Sequence, residues 1–198
     1  MGPGVTILYE DSAGEQTDFA LHNLVVRCVA DRVGCEPPTM KDRLRGIPKK
    51  GNGNVWRACQ RDLPHLARSG RVVFAVFDDD RVRTMTKLAT GACKTQVVTR
   101  IKIGCDPAAS LRVVLLVRNT ETVLCGLRDL GVLHGRGAMF VQAIDRKDIA
   151  SRDILFKDAV WRLTADQRVS LLREVPSLGY LVEKPVALLG DAPAPDAG

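Results

Sequence analysis

The ten residues Arg71 to Asp80, RVVFAVFDDD, constrain the fold of this chain more than any other stretch. Six apolar residues, Val72 to Phe77, run straight into three carboxylates. A short apolar run rich in Val and Phe reads as a strand covered on both faces, the kind that a parallel sheet contains. Three acids cannot stay buried without partners, so the strand has to end there and deliver them to a solvated edge. In open α/β sheets that edge, beyond the carboxyl ends of the strands, is where ligands bind.

The same grammar recurs on either side. Val5 to Tyr9, VTILY, reads as a strand that ends in Glu10 and Asp11. A helix follows from about Glu15 to Val33, with Leu21, Leu24, Val25, Cys28 and Val29 on one side. Asn23, Arg27 and Asp31 recur on the other, where His22 is also expected, and Gly34 stops the helix. Leu111 to Val117, LRVVLLV, is a third apolar strand. Asn119 then caps a helix whose inward stripe is Val123, Leu124, Leu127 and Leu130, closed by Gly131. Glu121 falls in its first turn, where an acid can also simply face the helix dipole. Strand, acid and helix in repetition predict an α/β fold with a mostly parallel central sheet flanked by helices, Rossmann-like in plan.

The remaining segments are less regular. Cys35 to Asn54 is rich in Pro, Gly, Lys and Arg and reads as a loop, either a solvated connection or a grip for an anion. Val55 to Ser69 has a helical pattern that Pro64 kinks or divides, and Arg81 to Ala89 reads as a short helix. Gln96 to Ile103, QVVTRIKI, alternates like a strand. Met139 to Ile144 suggests a last strand and Asp148 to Arg162 a helix. Thr164 and Gln167 form a capping box for a helix that Pro176 stops. Residues 1–190 are expected to form one domain, with 139–190 completing the sheet or standing as a C-terminal helical appendage. The end, DAPAPDAG, is too poor in apolar side chains to pack and is expected to be a disordered tail over 191–198.

Length and charge bound the function classes. A chain of 198 residues can bury one sizeable core. Its excess of 29 Lys and Arg over 23 Asp and Glu suits an anionic partner without requiring one. No apolar run approaches a membrane span and the start, MGPGVTILYEDS, is unlike a secretion signal, so a cytoplasmic protein with no membrane partner is expected. The six cysteines contain no CxxC pair and match no zinc spacing with the three histidines. No Ser–His or Cys–His motif suggests nucleophilic catalysis, and Trp56 and Trp161 read as packing residues.

If the strands are parallel neighbours, Glu10, Asp78 with Asp80, and Glu121 meet at one edge. Carboxylates gathered in this way repel unless a cation joins them. Oxygen donors alone favour Mg²⁺ or Mn²⁺, ions that can polarise a phosphoryl oxygen and activate a bound water. Lys41, Arg43, Arg45, Lys49 and Lys50 before the central strand, and Arg81, Arg83 and Lys87 after it, could hold a phosphate backbone nearby. The alternative is a set of unrelated strand-end acids satisfied by helix N-termini and arginines.

A glutamate after the first strand, an amphipathic helix, and then a strand ending in Asp-x-Asp together resemble the Toprim domain of topoisomerases, bacterial primases and OLD-type nucleases. GNGNVWRACQRDLPHLARSGRVVFAVFDDDRVR and RNTETVL look most like small stand-alone proteins of that kind, several of which belong to bacterial defence or toxin systems. The likeness covers about the first two-thirds of the chain, in short motifs. It implies a Mg²⁺-dependent nuclease acting on DNA or RNA, alone, as a homo-oligomer or with a partner protein. Glu10 would be the general acid/base or a metal ligand, Asp78 and Asp80 would hold the ion, and Glu121 would match a further catalytic glutamate. Asp79 would contribute charge only, while Glu15 and Asp18 could extend the metal shell. Two departures stand: Asp11 replaces the glycine that usually follows the glutamate, and no strand is recognisable in residues 34–54.

Two other readings fit parts of the pattern. AVFDDDRV also resembles the nucleophile loop of haloacid-dehalogenase-like phosphatases, although that motif normally lies near the N-terminus. A catalytically inert Toprim-like scaffold that binds nucleic acid or protein would account for Asp11.

Overall fold

A computed structural model describes residues 4–10, 20–89, 91–116, 119–132 and 149–190. Its centre is a parallel sheet of four strands: β1 (Gly4–Tyr9), β2 (Leu44–Pro48), β3 (Arg71–Asp78) and β4 (Leu111–Leu116), in the order β2-β1-β3-β4. Between β1 and β2 come helices α1 (Ala20–Val33) and α2 (Pro37–Arg43), and α3 (Asn52–Arg68) links β2 to β3. Helices α4 (Asp79–Thr86) and α5 (Lys94–Lys102) precede β4, and α6 (Asn119–Asp129) follows it. The C-terminal part is helical: α7 (Ile149–Arg162), α8 (Ala165–Glu174) and α9 (Pro176–Leu189). The fold is α/β and Rossmann-like, as expected.

Strand order dictates the layers. The chain steps one way from β1 to β2 and the other way from β2 to β3, so right-handed crossovers put α1 and α3 on opposite faces of the sheet. Two cores result. One joins Ile7, Tyr9, Phe74, Val76 and Val114 to α1, α6, α7, α8 and α9; the other joins Leu8, Val73, Ala75, Phe77 and Leu115 to α3, α4 and α5. Alternate residues of β3 therefore enter different cores, which is why its sequence is apolar throughout. Helix α9 packs against α1 and β4, so the C-terminal helices share the first core.

Four expectations change. Residues 35–54 contain helix α2, edge strand β2 and the start of α3 instead of a loop. Strand β2 is only five residues long, with Gly46 inside it and Pro48 at its end, a composition tolerated at a sheet edge. Gln96 to Ile103 lies largely within helix α5: Val97 and Ile101, one turn apart, are buried, whereas Ile103 is 55% exposed. Residues 52–68 form one helix with Pro64 inside it. Pro176 ends helix α8, as expected, and also opens α9. The strand expected at 139–144 and the tail at 191–198 lie outside the described residues.

His22 is the fourth change. It is buried, as is Asn23, because α1 is covered by α2, α7, α8 and α9 as well as by the sheet. Its Nδ1 lies 3.2 Å from the Tyr9 hydroxyl, and the two rings meet edge-on at 5.7 Å. Gly46 makes room for it, since a Cβ there would come within 2.5 Å of the imidazole. Gly46→Ala is expected to lower unfolding free energy in denaturant titrations by about 1–3 kcal/mol. In a His22→Ala background the same change should cost less than half as much.

Candidate active site at the carboxyl edge of β1 and β3

β1 and β3 are adjacent and parallel, and the chain leaves them in opposite directions. This is the topological switch point of the sheet, the crevice where open α/β folds bind ligands. Glu10 follows the last residue of β1, and Asp78 is the last residue of β3. The paired stretch ends at Tyr9 and Val76. Two residues on, the Asp78 backbone N–H donates to Glu10 Oε2 at 3.0 Å. The glutamate side chain thus folds back onto the end of the neighbouring strand.

Asn52, the first residue of α3, completes the arrangement. Its Nδ2 donates to the Asp78 carbonyl at 3.2 Å, and its Oδ1 accepts from the Asp78 N–H at 3.2 Å. A buried side-chain amide therefore takes both backbone groups of the residue that carries the carboxylate. The loop before α3 is tied to β1 in turn, with Lys49 N–H donating to the Tyr9 carbonyl at 2.9 Å and Gly51 N–H to the Glu10 carbonyl at 2.7 Å. Sequence reasoning missed Asn52; its one signal was a polar residue set between two glycines before an amphipathic helix.

Electrostatics at the edge are strained. Glu10 is only 8% exposed. Burial pushes its carboxyl above the ordinary value and the Asp78 charge adds to this, while the Asp78 N–H, Arg81 and the Asn52 backbone pull it back. Arg81 reaches within 4.0 Å of Glu10 Oε1 but is 78% exposed, so its help is screened. Two neighbouring carboxylates with a weak counter-charge fit a divalent cation with oxygen ligands. Among the described residues no cluster of three metal-ligating side chains is present; the side chains of Asp80 and Glu121 lie outside that set.

The backbone locates those two nonetheless. Asp80 is the second residue of α4, directly after β3. Glu121 is the third residue of α6. That helix begins just beyond β4, whose Leu116 pairs with Asp78. All four acids therefore belong to the carboxyl edge. Asp79 opens α4 and pairs with Arg83 at 3.2 Å, so it has a structural partner within its own helix. Asp11, Glu15 and Asp18 lie outside the described residues.

The basic residues divide. Lys49, Lys50 and Arg81 belong to the carboxyl edge. Arg83 is occupied by Asp79 and the Ala92 carbonyl, and Lys87 is exposed just beyond the end of α4. Lys41, Arg43 and Arg45 sit at the opposite edge, because β2 climbs roughly 13 Å between Leu44 and Pro48. Arg43 donates to the Leu189 carbonyl at 2.7 Å and so ties the end of α9 to the sheet. Arg45 stands near Arg71, whose guanidinium bonds Thr6 Oγ1 and the carbonyls of Val5 and Arg43. Sequence pattern alone does not divide them, because β2, the strand that separates the two groups, has the composition of a loop.

No thiol competes as a nucleophile in the cores. Burial pushes Cys28 and Cys59 up to about 12, which keeps both protonated at neutral pH. No family model, curated protein sequence or solved structure matches this chain.

Two outcomes follow from this geometry. Folded Glu10 holds its proton to higher pH than the unfolded chain does, so its ionised form subtracts from stability. That loss is absent below the ordinary carboxylate range and grows as pH rises through it towards the shifted value. Glu10→Gln keeps an oxygen for the Asp78 N–H, so in chelator it is expected to melt above wild type at pH 7. The two melting temperatures should converge by about pH 3. Asn52→Ala strips the Asp78 backbone of a buried partner and is expected to cost about 1–3 kcal/mol in chemical denaturation. A loss under a few tenths of a kcal/mol would show that the amide pair holds nothing.

Proposed function

We propose that this chain is a Toprim-like, metal-dependent nuclease that hydrolyses phosphodiester bonds of DNA or RNA in the cytoplasm. The observation that carries the reading is the meeting of Glu10 and Asp78 at the switch point of the sheet, bonded through the Asp78 N–H. Strand β2 adds support, because the resemblance calls for a strand between the first helix and the Asp-x-Asp strand. The six free thiols accord with a reducing compartment.

Asp78 and Asp80 are the residues that would hold Mg²⁺ or Mn²⁺, with Glu10 either a further ligand or the acid/base. When bound, such an ion supplies Lewis acidity to a phosphoryl oxygen and acidity to a coordinated water. The chain's own groups do the rest. Glu10, with its proton affinity raised by burial, is suited to take a proton from the attacking water or return one to the leaving oxygen. Asn52 positions Asp78 by fixing its main chain. Arg81, exposed beside Glu10, is free to meet a substrate phosphate, with Lys49 and Lys50 beyond it. Glu121 adds a further carboxylate from the first turn of α6.

Labelled DNA and RNA incubated with Mg²⁺ or Mn²⁺ provide the test. Wild type is expected to cleave at least one of them, and Glu10→Ala and Asp78→Ala each to lose about a hundredfold or more in rate. Cleavage that survives both substitutions removes the mechanism.

A further inference from the structure

A second concave surface adjoins the carboxylates. The loop after β2 and the exposed side of α3 enclose a cleft of about 430 Å³. Its cationic lining consists of Lys49, Lys50, Arg57 and Arg61, with Asn54 between them. Asp62 is the nearby counter-charge, 3.3 Å from Lys49 and 2.6 Å from Arg61. Four positive groups against one carboxylate leave the cleft strongly cationic.

The cleft is ordered by its own bonds. Asn54 Nδ2 donates to the Lys50 carbonyl at 2.7 Å, and its Oδ1 accepts from the Arg57 guanidinium. One amide thereby fixes the loop and aims an arginine. Lys50 has a left-handed backbone, φ +44°, which glycine or asparagine would adopt more easily. Arg57 and Arg61 are like charges one turn apart, an arrangement that weakens a helix. Within the cleft Asp62 offsets part of this repulsion through Arg61.

We propose that this cleft seats the phosphodiester backbone of nucleic acid flanking the bond held at Glu10 and Asp78. Arg57 and Arg61 lie about 6 Å apart along the helix, and Lys49 and Lys50 add two cations from the loop, so the cleft can follow successive phosphates of a polymer. The loop that supplies Lys49 and Lys50 also bonds the Tyr9 and Glu10 carbonyls, and Asn52 just after it grips Asp78. A backbone lying in the cleft is thus led to the switch point. The inference rests on the nuclease reading only in choosing nucleic acid among polyphosphates.

Binding is measured by fluorescence anisotropy on the full chain, with short labelled DNA and RNA duplexes in chelator, across a salt series. Arg57→Gln with Arg61→Gln is expected to weaken binding at low salt roughly tenfold and to flatten the plot of log K against log salt by about 1.8 for duplex DNA. Lys41→Gln with Arg45→Gln, an equal charge change at the far edge, should alter neither. An unchanged slope in the first pair, an equal loss in the second, or equal binding of polyglutamate overturns the proposal. Cleavage assays separate the two readings. A wild type that binds through Arg57 and Arg61 but never cleaves leaves the cleft standing and removes the nuclease. A wild type that cleaves, with rate and binding indifferent to both arginines, does the reverse.

Discussion

The backbone pairing of β1 with β3 stops at Tyr9 and Val76, and just beyond it the Asp78 N–H on β3 donates to a carboxylate. This hydrogen bond sets the geometry of the carboxyl edge. A charged acceptor makes it stronger than an ordinary main-chain bond. It also turns the Glu10 side chain towards the neighbouring strand and away from solvent. Asn52 closes the same point from the other side, so strand, loop and helix converge on one residue of β3. Each of these elements meets at the place where the sheet changes direction.

The arrangement is poor for stability. A glutamate held at 8% exposure beside a second carboxylate loses hydration and gains repulsion. An amide in its place would keep the hydrogen bond and relieve both. Elsewhere the protein handles charge conventionally: Asp31 lies against Arg168 at 2.6 Å, and Asp79 against Arg83 at 3.2 Å. The contrast isolates Glu10. A buried acid that departs from the local rule at a switch point is a candidate for function, which is the ground for the role proposed for Glu10.

How much of this was legible in sequence depended on burial. β3 announced itself because both faces are covered, so its run is apolar from end to end and halts at the acids. β1 is buried in the same way, while β4, at the other edge, is apolar over most of its length but exposes Arg112. β2 has no such run: it is short, lies at the edge and contains Gly46, whose missing side chain answers to a histidine distant in sequence. Nothing local could reveal that. QVVTRIKI was misread because Val97, Thr99, Ile101 and Ile103 satisfy a period of two as well as Val97 and Ile101 satisfy a turn of helix. The deciding cap is unusual, with Cys93 in place of a hydroxyl or carboxylate residue and Gln96 closing the box. Glu10 and Asp78 could be paired from sequence because parallel strands end together. Asn52 could not, since its role depends on where α3 begins.

The two edges of the sheet show how one run of basic residues acquires two uses. Residues 41–50 carry five cations within ten positions, and sequence alone treats them as one patch. Strand β2 runs through that patch and separates it. At the amino edge, Arg43 and Arg71 turn inward, satisfying the carbonyls of Leu189, Val5 and Arg43, and so close that end of the molecule. At the carboxyl edge, Lys50 stays exposed and Lys49 reaches only Asp62, in a cleft that adds Arg57 and Arg61. Arginines spent on main-chain carbonyls hold the fold together; in the cleft a single carboxylate, Asp62, meets both Lys49 and Arg61, and Arg57 bonds Asn54. Acidic groups meet at the switch point, and basic groups line the cleft near it. Carboxylates at the switch point and cations in the cleft near it thus bring opposite charges to one edge of the sheet, and that juxtaposition is what supports the nuclease reading proposed above.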